Sequence, residues 1–133
     1  AAGGRALDGP GLFYAPTILR DVPADSPIVQ EEQFGPALPV VAYDDVEQAL
    51  AWANGTPYGL SGSVWGADEE RAAELAARLE CGTAWVNTHL ALSPAAPFSG
   101  WKWSGLGVEN GLRGLEAFTE LQVLHRTRRA ARP

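Results

Sequence analysis

Residues 38–87, LPVVAYDDVEQALAWANGTPYGLSGSVWGADEERAAELAARLECGTAWVN, alternate apolar β-prone runs with helical periodicity, and this alternation decides the fold class. Leu38–Tyr43 is a short apolar run of the kind found in a strand covered on both faces. Asp44 then opens a helix: it can cap free backbone N–H groups, with Glu47 three residues on as the reciprocal partner of a capping box. Val46, Ala49, Leu50 and Ala53 recur at helical spacing and form one apolar stripe. Asn54 and Gly55 supply a left-handed exit. After the TPYG turn, LSGSVW reads as a second strand. In ADEERAAELAARLECG, acids crowd the first helical turn, Ala72, Leu75, Ala76 and Leu79 form the stripe, and Glu74 pairs with Arg78 on the polar side. Gly82 ends this helix, and TAWVN is a third strand. The order β-α-β-α-β with short links predicts an α/β protein with a parallel sheet and right-handed crossovers.

Outside this core the patterns are weaker. GLFYAPTIL, Gly11 to Leu19, is an irregular extended lead-in, and Pro16 favours an edge or a turn. RDVPADSPIVQEE is a loop. From Thr88 to Gly114 the chain is rich in Gly and aromatic residues, and so long an ordered loop over an α/β sheet is commonly functional. FTELQVLH, Phe118 to His125, is a last extended segment that could close the sheet or leave the body.

Composition narrows the function classes. The chain of 133 residues can bury one modest core. One Cys excludes an internal disulfide framework, and with two His no structural zinc cluster is expected. The net charge of −6 argues against general nucleic-acid binding, although the tail HRTRRAARP carries four arginines and no acid. That tail is read as a solvated terminus. No apolar run approaches the roughly 20 residues of a membrane helix. AAGGRALDGP does not read as a signal peptide, so a cytoplasmic protein is expected.

The chemistry-bearing motifs are EEQFGP (Glu31 to Pro36), Asn87 after the TAWV strand, APFSGWKWSGLG and GLEAFTELQVL. In this order and spacing, from about Gly11 to Leu124, they resemble the C-terminal part of the NAD(P)-dependent aldehyde dehydrogenase superfamily. The resemblance implies oxidation of an aldehyde to a carboxylic acid through a cysteine thioester, with hydride transfer to NAD or NADP. It implies that Glu32 hydrogen-bonds the nicotinamide ribose hydroxyls, a task suited to an ionised carboxylate, which can accept from two adjacent donors. Phe34 is implied to lie beside the nicotinamide ring, Phe98 to line the inner aldehyde tunnel, and Asn87 to organise the catalytic loop without reacting. Taken alone, Glu31 and Glu32 would be ordinary loop acids and Phe34 a core residue.

The resemblance also implies an organisation. Residues 1–117 correspond to a portion of the catalytic domain, and residues 118–133 to an oligomerisation strand with its Arg-rich tail, giving a homodimer or homotetramer. Gly100, Lys102, Ser104 and Gly105 match the family pattern GG-x-K-x-SG, with Ser99 in place of its first glycine and Val108 where an arginine is common. The nucleophilic cysteine, the water-activating glutamate and the Rossmann-like domain are expected upstream, so the isolated chain is expected to be inactive and to bind no cofactor tightly. GLGVENG lacks a preceding strand and is a poor dinucleotide fingerprint. Cys81, with His89 and Glu109, makes a triad only by counting residues; a helix exit is not where a thiol is activated. His125 is read as structural or solvent-facing. The alternative function is a non-catalytic α/β interaction module that keeps this fold.

Overall fold

Thr17, an almost fully buried residue, opens the first strand directly after Pro16. Its Oγ1 donates to the Ala15 carbonyl and accepts from the Gly4 N–H, both at 2.8 Å. Ala2 and Ile18 exchange two backbone hydrogen bonds of 3.0 Å on one side. On the other side Thr17–Arg20 (β1) pairs in parallel with Ala37–Val40 (β2), in the register Thr17 to Ala37 and Arg20 to Val40. In this computed structural model, residues 2–128 are described. The chain divides into two units, Ala1–Thr56 and Pro57–Pro133.

In the first unit the crossover from β1 to β2 carries the one-turn helix Pro27–Gln30 (α1), with Pro27 at its start where a missing N–H costs nothing. The lead-in expected to be irregular therefore contributes a paired strand. Pro39 fits within β2 because its tertiary nitrogen is needed for no ladder bond at such a short edge. Val46–Asn54 (α2) follows, and its N-cap is Asp45, whose carboxylate accepts from the Glu47 N–H at 3.2 Å. The cap is thus one residue later than Asp44. The exit also differs from expectation: Gly55 is right-handed, at φ −77° and ψ −6°. Leu50 is the buried residue of this helix, with Val46 and Ala49 half-buried and Ala53 exposed.

In the second unit, Tyr58–Gly59 (β3) leads into Ser61–Val64 (β4), which pairs in parallel with Thr83–Val86 (β5). The crossover is the helix Glu69–Ala76 (α3), capped by the Asp68 carboxylate on the Arg71 N–H at 3.1 Å, with Glu69 and Glu70 in the first turn. Ala72 and Ala76 are buried, as is Trp85 of β5. Helix α3 stops before Gly82; residues 77 and 78 continue as a turn. The expected single parallel sheet is replaced by separate two-stranded ladders, of which β1–β2 and β4–β5 are parallel.

The region 88–114 has more structure than its sequence suggests. Phe98–Ser99 (β6) pairs antiparallel with Val108–Glu109 (β8), and Trp101–Lys102 (β7) pairs antiparallel with β3. Gly111–Glu116 (α4) follows. Phe118–His125 has no regular element, because a strand needs a neighbour for its ladder. Phe118, Leu121, Val123 and Leu124 are exposed. The last part of the Arg tail, 129–133, lies outside the described residues.

Phe13, Ile18, Leu38, Trp65 and Leu106 are among the uncovered apolar side chains of the described residues. Surface of this kind is typical of faces that pack against other protein.

Candidate functional site

The EEQFGP loop begins where α1 ends. Glu31 turns extended at φ −105° and ψ 138°, and its N–H bonds back to the Pro27 carbonyl at 2.8 Å. The Gln33 side-chain amide then donates to the Ala37 carbonyl at 2.5 Å, and the Ala37 N–H to the Gly35 carbonyl at 2.8 Å. These bonds fold the loop on itself and turn Phe34 outward, 97% exposed. Glu32, two residues away, is also exposed. A bare aromatic face and an accessible carboxylate on one loop suit a ligand that has a flat ring and adjacent hydroxyls.

Asn87 lies in the second unit, directly after β5, at a left-handed φ of 51° that asparagine tolerates better than most residues. Its backbone N–H extends the β4–β5 ladder to the Val64 carbonyl at 2.9 Å. Its side chain does more. Oδ1 accepts from the Gly66 N–H at 2.8 Å while Nδ2 donates to the Gly66 carbonyl at 2.9 Å. Both polar groups of Gly66 are thereby satisfied by one amide, which ties the β4–α3 loop to the end of β5. Asn87 is a brace that uses both the oxygen and the nitrogen of its side chain.

Phe98 is half-buried in β6. The segment around it is seated by glycines. A Cβ on Gly82 would collide with the Ser99 carbonyl, and one on Gly59 would come within 2.5 Å of the Glu80 carbonyl and 3.1 Å of Trp101 Cβ. A Cβ on Gly100 would lie 2.7–2.8 Å from the backbone and Cβ of Ser104. Ser104 Oγ accepts from the Gly59 N–H at 2.9 Å, and the Trp103 N–H donates to the Pro57 carbonyl at 2.9 Å. Gly59 and Gly82 were not among the sequence candidates. Their signal was a glycine at a strand boundary, which marks close backbone approach.

Cys81, His89 and Glu109, set aside as a triad in the sequence, each have other contacts. The Cys81 thiol donates to the Thr83 carbonyl at 3.2 Å. Burial pushes its pKa up, against smaller opposing effects from backbone hydrogen bonds and Lys102, so this thiol is held protonated rather than activated. His89 sits edge-on to Trp85, with ring centroids 5.2 Å apart. Glu109 is paired through β8 with Phe98. Among the described residues no group of three or more His, Cys, Asp or Glu could hold a metal ion, and no helix is long and apolar enough to cross a membrane.

Glu32 and Phe34 thus share a loop of the first unit, while Asn87 and Phe98 belong to the second.

Known proteins match this chain over nearly its whole length. A sequence profile described as "Aldehyde dehydrogenase family" matches residues 1–124. Betaine aldehyde dehydrogenase of Bacillus subtilis (strain 168) is 42% identical over 133 residues, covering 97% of this chain and 27% of that protein. Human retinaldehyde dehydrogenase 3 is 39% identical, covering 92% of this chain and 24% of that protein. A crystal structure of indole-3-acetaldehyde dehydrogenase complexed with NAD+ superposes with a TM-score of 0.86 at 40% identity, over 92% of this chain and 25% of that one. The Staphylococcus aureus betaine aldehyde dehydrogenase in complex with NAD+ gives 0.83 at 37% identity, over 89% and 24%. The chain therefore spans about a quarter of the length of the relatives it matches. Identity near 40% sustained across both units, with the α/β fold reproduced, leaves one assignment: the chain belongs to the aldehyde dehydrogenase family.

Proposed function

We propose that this chain is the C-terminal part of an NAD(P)-dependent aldehyde dehydrogenase, an enzyme that oxidises an aldehyde to a carboxylic acid through a cysteine thioester. The cysteine, the water activator and the dinucleotide domain belong to other parts of that protein. The observation that carries this reading is the family match over residues 1–124, in relatives four times as long. NAD or NADP, when bound, accepts the hydride released from the substrate. Glu32 and Phe34 fit such a cofactor, because the exposed carboxylate can accept from both ribose hydroxyls and the exposed ring can limit the nicotinamide's freedom. Phe98 contributes an apolar wall to the aldehyde tunnel, and Asn87 holds the strand end on which the neighbouring loop is built. Residues 118–133 supply the oligomerisation strand of a homodimer or homotetramer. The uncovered Phe118, Leu121, Val123 and Leu124 support that role.

The experiment compares the complete protein with the 133-residue chain, using NAD and NADP and aldehydes of graded size. The complete protein is expected to turn over and the chain to stay at background. Turnover by the chain alone, abolished in Cys81→Ala, would overturn the proposal. A complete protein without aldehyde oxidation would favour the interaction module.

A further inference from the structure

Lys102 is the only lysine of the chain. Its backbone is left-handed, at φ 54°, a region that glycine adopts freely and a lysine only at a cost. The side chain is mostly covered, and its Nζ lies 2.9 Å from Glu80 Oε2. A glycine would suit that backbone better, yet the position carries a lysine whose side chain is engaged. Glu80 stands at the turn between α3 and β5, next to Cys81 and two residues before Gly82. The Glu80 carbonyl faces Gly59, and Gly82 faces the Ser99 carbonyl. Thus the ion pair joins the two backbones that the glycines bring together, with Lys102 four residues along the chain from Phe98. It adds charge to a seat that also uses shape, backbone hydrogen bonds and the Gly59 N–H bond to Ser104 Oγ.

We propose that Lys102 and Glu80 are positioning residues for aldehyde selection: their ion pair clasps the β6–β7 segment against the α3–β5 turn and so fixes where the Phe98 ring stands. This rests on the reading of Phe98 as a wall of the aldehyde tunnel. The pair is partly solvent-exposed, so it adds little to overall stability, and its effect is local. Losing it frees the segment to move by fractions of an ångström. That is enough to change which aldehydes fit, because discrimination in an apolar pocket depends on close packing.

The test uses the complete enzyme and five variants: Lys102→Met, Lys102→Arg, Glu80→Gln, the Lys102→Met/Glu80→Gln double variant and Phe98→Ala. The readout is the ratio of kcat/KM for a bulky aromatic aldehyde to that for a two-carbon aldehyde, with cofactor KM and thermal unfolding measured alongside. Lys102→Met and Glu80→Gln should each shift the ratio by about three- to tenfold, and the double variant no further. Lys102→Arg should keep the parent ratio, and cofactor KM and Tm should hold in all three single charge variants. If Phe98→Ala shifts the ratio while the charge variants do not, the clasp is wrong and the tunnel reading survives. If Phe98→Ala leaves the ratio unchanged, the tunnel reading fails and the clasp's role in selection fails with it. Equal losses for every aldehyde, tracking a lower Tm, would reduce the pair to a structural contact and overturn the proposal.

Discussion

The EEQFGP loop and the β6–β7 segment both carry an aromatic residue of the proposed site, yet they hold it by opposite means. The loop closes through one side-chain bond from Gln33 and two backbone bonds, and it leaves Phe34 almost wholly in solvent. The β6–β7 segment is seated against backbone at Gly59, Gly82 and Gly100, and Phe98 is half-buried. The first region is built to be completed by something else, a ligand or another part of the protein. The second supplies its own support. Substitutions at the glycines of the second region should therefore affect stability, and substitutions on the loop should affect ligand binding.

The sharpest way to break this contrast is Gly82→Ala. The added methyl meets a main-chain oxygen that cannot rotate away, so overpacking of about 3 kcal/mol is expected in urea unfolding of the complete protein. A loss below about 0.5 kcal/mol, the level of an ordinary surface change, would mean that the seat is soft.

Asn87→Ala should cost less, about 1–3 kcal/mol, by removing both bonds to Gly66. Asn87→Gly sharpens the point: it also loses the bonds but suits φ 51°, so it should retain about 0.5–1 kcal/mol more than the alanine variant. Equal stability for the two would indicate that the left-handed backbone contributes nothing.

The smallest effect concerns Cys81. Its pKa is raised from the ordinary value of 9.0, with burial the largest cause. Because the folded-state value exceeds the unfolded one, the associated stability is fully present below the ordinary thiol pKa. It is lost as pH rises through the raised value. Alkylation near about pH 8 should thus be slower than for a free cysteine. Faster alkylation would reopen the case for an activated thiol.

These regions also differ in how far the sequence revealed them. Helices α2 and α3 were legible because their apolar stripes repeat at helical spacing and an Asp precedes each. The cap of α2 was misplaced by one residue because Asp44 and Asp45 are chemically equivalent, and only backbone geometry selects Asp45. β1 was hidden behind Pro16, since its pairing depends on Ala2 and on β2, both distant in sequence. Strands β6, β7 and β8 are two residues each and have no period to detect; tertiary contact alone creates them. Glu32, Phe34, Asn87 and Phe98 became candidates through spaced motifs, whereas the glycine seat around Phe98 depends on backbone approach that no motif states.

The central claim is that this chain presents Glu32 to the ribose of a nicotinamide cofactor. Glu32→Gln in the complete enzyme tests it most directly, because the substitution keeps the size of an exposed side chain and removes only its charge. Cofactor reduction in a single turnover is the measurement. Loss of a charged hydrogen bond, worth roughly 1.5–3 kcal/mol, predicts reduction or cofactor binding weakened about tenfold or more, with unfolding unchanged. An unchanged reduction rate together with unchanged cofactor affinity would contradict the account.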